Sequence, residues 1–284
     1  MITQKQILTT AVCFGLSMLI MSTVFYTVSE AKDRFGTVKD ISNTTQDSRP
    51  DPNNKTIDLG NGVTMKFVLV PSGEFYMGSP SSEKDRCDNE GPVRRLKITK
   101  SFYMSKYEVT QDQFSAVMGK NPSRFSGRNL PVDSVMWDEA AAFCKELGSE
   151  FRLPTEAEWE YVCRAGTDTR FYYGDDPNSV QLGEYAWYRD SSAGRTHGVG
   201  QKEPNSFGLY DMHGNVWEWC SDWYVSSRNG TSVHHVGPES GEYRVIRGGC
   251  YNNYARYCRS AHRRKDEAVY RWRYVGFRVV LDLE

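Results

Sequence analysis

The chain has 284 residues, a formal net charge of -1, 39% apolar residues and 13% aromatics, including 7 Trp and 17 Tyr. That length and apolar content suffice for one sizeable core and exclude a chain that stays unfolded for want of apolar burial. The near-neutral charge argues against an obligate nucleic-acid binder, whose footprint is basic, so no nucleic-acid partner is expected.

Residues 7–29, ILTTAVCFGLSMLIMSTVFYTVS, form an uncharged run of 23 residues. As a helix it would measure about 35 Å, enough to cross a hydrocarbon core of about 30 Å. Two readings stay open, an uncleaved membrane anchor and a cleaved signal segment; the small-residue site at Thr27-Val28-Ser29 is a poor one for cleavage. Lys5 before the run favours a cytoplasmic N-terminus and an exported body, periplasmic or at the cell surface. Residues 30–60 are polar with little apolar periodicity and read as a flexible tether. One folded domain over 61–284 remains.

Within it, MKFVLVPSGEFYMGS (65–79) predicts a hairpin turning at Pro71-Ser72-Gly73, and residues 96–110 a second strand region. Three short helices are expected next. Thr110 caps 111–118. Residues 137–147 follow, with Ala140, Phe143, Cys144 and Leu147 on one face. The third helix occupies LPTEAEWEYVCRAG, where Thr155 and Glu158 form a capping box and Gly166 closes the end. Beyond Gly166 the chain is rich in Gly, Asn, Asp and aromatics. RVIRGG (244–249) and VGFRVVLDL (275–283) read as strands that bracket a long loop.

Seven cysteines are present. Excluding Cys13, six remain, which allow 15 complete pairings that sequence alone does not resolve. The lack of a CxxC argues against zinc or thioredoxin-type centres. Cys144, Cys163 and Cys220 sit in apolar runs and read as buried small hydrophobes. Cys87, in the polar stretch SSEKDRCDNEGP, reads as an exposed thiol or a partner for a loop cysteine.

PSGEFYMGS, YEVTQDQF, RLPTEAEWEYVCRAG, NSFGLYDMHGNVWEWCSDWY, RVIRGG and VGFRVV occur in this order across residues 65–280. Together they resemble the sulfatase-modifying-factor family, the domain of formylglycine-generating enzymes. The resemblance implies an α+β, C-type-lectin-like fold with short helices around small antiparallel sheets. It also implies two metal sites. The family's oxidase converts a sulfatase cysteine to formylglycine with copper and dioxygen, and its copper ligands are a Cys-x4-Cys pair after a Gly-Gly-Ser turn. Here the turn is Gly248-Gly249-Cys250. Asn253 falls where the first thiolate belongs, and Cys258 either fills the second position or lies outside the pair, depending on the end from which the loop is counted. An amide does not replace a thiolate for copper(I). Cys250 and Cys258 are the candidate catalytic thiols if they converge; a structural disulfide or two separate thiols are the other readings. The second implied site is a calcium-binding turn, which maps onto Asp211, Gly214, Val216 and Glu218. Oxygen ligands of that kind suit Ca²⁺, while the alternative for Glu218 is a satisfied buried carboxylate.

With the cysteine pair broken, the loop is notable for Tyr, Trp and Arg, the residue types that dominate binding hot spots. Tyr251, Asn253, Tyr254, Tyr257, His262, Tyr270, Trp272 and Tyr274 are the candidate ligand-binding residues, with a protein or glycan as the expected ligand. In Tyr270-Arg271-Trp272-Arg273-Tyr274 an extended backbone would put rings on one side and arginines on the other. Part of these rings, Trp272 or Tyr274 first, is expected to complete the core. Variable members of this fold family diversify the same segment with Asn, Tyr, Ser, Cys, His and Asp. The reading is therefore an exported, membrane-tethered ligand-binding domain, with a copper-dependent oxidase as the alternative.

Overall fold

The computed structural model describes residues 53–226 and 238–283, so the predicted anchor and most of the predicted tether lie outside the described residues. The chain divides into units 1–38 and 39–284, and the described residues belong to the second. Among them no helix is long and apolar enough to cross a membrane.

The first strand, β1 (Asn54–Asp58), lies inside the segment predicted as tether. It pairs antiparallel with β2 (Thr64–Val70) along its whole length. Ile57 and Leu59 are buried by this pairing; two apolar residues in a polar context were too few to betray a strand. The predicted hairpin after β2 is not formed. β3 (Gly73–Met77) leaves for a separate two-stranded sheet with β4 (Arg94–Ile98), while β2 takes β5 (Phe102–Ser105) as its second neighbour. Phe67 and Val68, adjacent and on opposite faces, are both buried, so β2 needs cover on both sides. The turn between β2 and β3 is pinned by the Tyr161 hydroxyl, which donates to the Pro71 carbonyl at 3.0 Å.

The three helices form where expected. In α1 (Gln111–Met118) the Thr110 hydroxyl accepts from Gln113 N–H, and the Gln113 side chain accepts from Thr110 N–H. α2 (Trp137–Leu147) buries Ala140, Phe143, Cys144 and Leu147. The short β6 (Phe151–Arg152) follows, then α3 (Glu156–Arg164), capped reciprocally by Thr155 and Glu158. α3 is buried almost all round: Trp159, Tyr161 and Val162 enter the core, and so do Glu156, Glu160 and Arg164. After the single-turn α4 (Leu182–Tyr185) the chain runs irregularly to β7 (Trp217–Trp223) and β8 (Arg244–Arg247).

The segment predicted as one long loop contains a strand. β9 (Arg263–Asp266) pairs in register with β8, beneath a single helical turn at Ala255–Tyr257. Its sequence, RRKD, has no apolar alternation; what it buries is an arginine and an aspartate. β10 (Val275–Gly276) runs parallel to β7, and β11 (Val280–Asp282) returns between β5 and β6. The result is a five-stranded sheet β1-β2-β5-β11-β6, a four-stranded sheet β10-β7-β8-β9 and the β3-β4 pair. This is the α+β, C-type-lectin-like arrangement.

Candidate functional site

The loop 250–274 stands on buried ions. Arg247, at the end of β8 and wholly buried, donates to the carbonyls of Ser260 (3.1 Å), Ala261 (3.0 Å) and His262 (2.6 Å) and pairs with Glu160 of α3. Arg259 donates to Glu83 (2.6 Å), to both Glu90 oxygens (2.8 and 2.5 Å) and to the Asp85 carbonyl. Arg263 makes a bidentate pair with Glu156, at 2.8 and 2.7 Å. Charge-assisted bonds of this kind fix geometry strongly. Arg259 and Arg263, residues of a type that is mostly exposed, are thus interior. The sign that could have shown it is the i, i+4 row Glu156–Glu160–Arg164 in a helix with apolar residues on its other faces.

Cys250 and Cys258 are both free and fully buried, as are Cys144, Cys163 and Cys220. The disulfide reading is therefore set aside. The Cys250 thiol donates to Asn252 Oδ1 (2.9 Å) and Asn253 Oδ1 (3.0 Å). Burial pushes its pKa up to about 12 and raises that of Cys258 further, with Cys250 adding to the effect. Cys258 lies in an apolar pocket with Phe171, Leu182, Ala186 and Tyr188. A Cβ on Gly249 would stand 2.7 Å from Cys258 Sγ, so a side chain at that turn is excluded while Cys258 sits there. One thiol is spent on amide oxygens and the other sits in an apolar pocket, and neither environment favours the thiolate that copper(I) takes.

The eight candidate recognition residues divide. Tyr251 is buried, its ring edge-on to Phe125 at 5.7 Å. His262 is buried beneath Tyr257, 5.2 Å between rings. Tyr251 is thus removed from the recognition surface by Phe125, which lies outside the loop, and His262 keeps only an edge on an open cavity. Tyr254, Tyr270 and Trp272 are 47%, 44% and 37% exposed. Tyr257, Asn253 and Tyr274 are half-buried. The expected alternation is present: Tyr270 meets Trp272 edge-on at 5.6 Å, and Trp272 stacks on Tyr274 at 5.6 Å and 11°. Arg271 turns away to Glu139, at 2.6 and 2.8 Å. Of Trp272 and Tyr274, one of them expected to complete the core, Tyr274 is half-buried, while Trp272 stays exposed and donates to Asp266 at 2.8 Å. On the other side Arg189 and Arg256 stack on Tyr254, at 4.3 and 5.2 Å. The open cavity, of about 520 Å³, is walled by Trp217, Asn253, Tyr257, His262, Arg264 and Lys265 among others.

The turn predicted to hold calcium is built of strained backbone. Asp211 and Asn215 have φ of 57° and 53°. Gly214 has φ 86°, and a Cβ there would lie 2.3 Å from the Trp187 carbonyl, so only glycine fits. Glu218 accepts from Arg278 Nε and Nη2 and from Trp159 Nε1, each at 2.6 Å. Three of the roughly four acceptor sites of a carboxylate are thereby used. Glu108, from the YEVT motif, joins it unforeseen, accepting from Val216 N–H at 3.0 Å and Asn215 at 2.6 Å. Asp211 accepts from Gly200 N–H through Oδ2, and its buried Oδ1 has no partner. Three buried carboxylates thus face one guanidinium. Burial, and then the neighbouring Glu218, raise Asp211 to about 6; burial, Asp211 and Glu218 raise Glu108 well above its ordinary value. An orphaned carboxylate oxygen, a spare site on Glu218 and excess negative charge fit a hard divalent cation.

The model of the sulfatase-modifying factor enzyme 1-like domain matches residues 59–283. The chain belongs to that family. Mouse formylglycine-generating enzyme is 30% identical over 263 residues, 68% of each chain. Among solved structures, Treponema denticola variable protein 1 superposes with TM-score 0.72 at 29% identity, over 82% of this chain and all of that one. PvdO from Pseudomonas aeruginosa gives 0.73 at 28%, over 80% and 98%. As a sulfatase-modifying factor domain, the chain carries Gly248-Gly249 with Cys250 and Cys258 eight residues apart, and no Cys-x4-Cys follows.

Proposed function

We propose that this sulfatase-modifying factor domain is a ligand-binding protein, exported and tethered by residues 7–29, that captures a protein or glycan on the exposed rings of the loop 250–274. The observation that carries the reading is the exposure of Tyr254, Tyr270 and Trp272. Large rings left outside a core this well packed mark an interaction site, and arginines stacked on them add directional charge. A related protein named as variable supports it, being similar over 82% of this chain. The test is selection of ligands from peptide and glycan libraries on the full chain in detergent. The selected ligand's affinity is then compared with that for the Tyr254→Ala/Tyr257→Ala/Trp272→Ala variant.

The oxidase reading draws support from the enzymes among the relatives and is opposed by the donor set at Cys250 and Cys258. A cysteine-containing sulfatase peptide, incubated with the full chain, copper and dioxygen, is expected to remain a thiol by mass spectrometry. Conversion to the aldehyde, lost in Cys258→Ser, would restore the oxidase.

Calcium is separable from both readings. Asp211, Glu218 and the carbonyls of Gly214 and Val216 would hold it, and it would supply charge compensation and stiffness to the turn. Saturation at 100 times Kd adds about 2.7 kcal/mol, or roughly 5–10 °C for a domain of this size. The melting temperature should therefore fall with chelator and recover with Ca²⁺; no response would remove the site. The sign for pH follows from Asp211. Its folded pKa is above its unfolded one, so folding takes up a proton between about 4 and 6 and calcium-free stability declines as pH rises through that window. The rise from 3.8 to about 6 corresponds to roughly 3 kcal/mol as an order of magnitude. Asp211→Asn should flatten this decline and raise the calcium-free melting temperature at pH 7.

A further inference from the structure

We propose that Cys87, Glu90 and His262 form a binding site for a zinc(II) ion, with one coordination position open to the cavity. Cys87 Sγ lies 4.0 Å from His262 Nδ1, and His262 Nδ1 lies 3.3 Å from Glu90 Oε1. All three ligand atoms fall within 4.8 Å of one another. They come from distant parts of the chain. Cys87 and Glu90 flank the single helical turn Asp88–Glu90, whose three-residue period places positions i and i+3 on one side. His262 stands directly before β9, held there by the bond from Arg247 to its carbonyl.

A thiolate, an imidazole and a carboxylate are a borderline donor set, which zinc accepts in tetrahedral geometry. With Zn–S of about 2.3 Å and Zn–N of about 2.0–2.1 Å, a tetrahedral angle puts sulfur and nitrogen roughly 3.5 Å apart. Closing from 4.0 Å needs a shift of a few tenths of an ångström. Glu90 is oriented before any metal arrives, accepting from Ser79 at 2.6 Å, from Arg259 through both oxygens and from Cys87 N–H at 3.2 Å. With about four acceptor sites on a carboxylate, zinc takes the Oε1 place that one of these donors, Cys87 N–H or Arg259 Nη2, gives up. The charges also close. Glu83, Glu90 and a Cys87 thiolate balance Arg259 and a divalent ion. Ligation by the Cys87 thiol releases a proton, so binding tightens as pH rises. Cys87 and His262 both line the cavity that holds Trp217, Asn253 and Tyr257. Three protein ligands with a fourth position facing a cavity is the arrangement of an open rather than a closed zinc site. The inference rests on residues outside the exposed aromatic surface and survives failure of the binding reading.

Untagged full chain in detergent, stripped by chelator, is titrated with Co²⁺ as a spectroscopic probe and with Zn²⁺ by calorimetry. One equivalent of Co²⁺ is expected to give a thiolate charge-transfer band that Zn²⁺ abolishes. Cys87→Ser should remove the band and weaken Zn²⁺ at least 100-fold; His262→Gln should weaken it at least tenfold, with the melting temperature of Cys87→Ser near that of wild type because Cys87 is only half-buried. Absence of the band, its survival in Cys87→Ser, or Zn²⁺ affinity unchanged in either variant would overturn the site.

Discussion

Arg247→Met should lower the melting temperature by roughly 10 °C. The guanidinium is wholly buried and holds three consecutive carbonyls, those of Ser260, Ala261 and His262, together with Glu160. Methionine fills much of the space and replaces none of the donors. Removing one partner of a buried pair costs about 3–5 kcal/mol, because the remaining charge keeps its desolvation penalty. A domain of this size loses about 2–4 °C per kcal/mol. Glu160 retains Gly78 N–H at 2.7 Å and Arg164 at 3.0 Å, so the loss is not larger. The carbonyls belong to the segment that carries His262 into place, so the zinc site should weaken with the fold. A melting temperature within about 2 °C of wild type would show that these bonds are not what anchors the loop.

Much of the scaffold was legible. Thr110 with Gln113 and Thr155 with Glu158 are capping boxes whose residue types state their own geometry, and both form. The stretch Tyr270–Tyr274 carried its arrangement in a period of two, and the rings do stack on one side. What stayed hidden was of one kind. β9 is a strand of charged residues, and Arg247, Arg259, Arg263 and Arg278 are core residues in a code that reads arginine as surface. Each is buried because a carboxylate from another element meets it: Glu160, Glu90, Glu156 and Glu218 in turn. Such pairs have no local signature. The approach of Cys87 to His262, 175 residues apart, is hidden for the same reason. So is the burial of Tyr251, whose cover is Phe125.

The second large effect belongs to the recognition surface. Tyr257 lines the cavity, Tyr254 and Trp272 are exposed on the same loop, and the three have few interior duties. Tyr254 and Tyr257 carry Arg256, at 5.2 and 4.8 Å, and Trp272 donates one hydrogen bond to Asp266. Their removal should therefore shift the melting temperature by no more than a few degrees. A ring buried by a partner contributes about 2 kcal/mol or more, and such terms are not additive. A combined loss of at least 100-fold, about 2.7 kcal/mol, is a conservative expectation.

Calorimetry of a library-selected ligand, with wild type and with the Tyr254→Ala/Tyr257→Ala/Trp272→Ala variant at matched fold stability, tests recognition at this loop most directly. Affinity at least 100-fold weaker in the variant is the expected result. Equal affinity in the two proteins would contradict it.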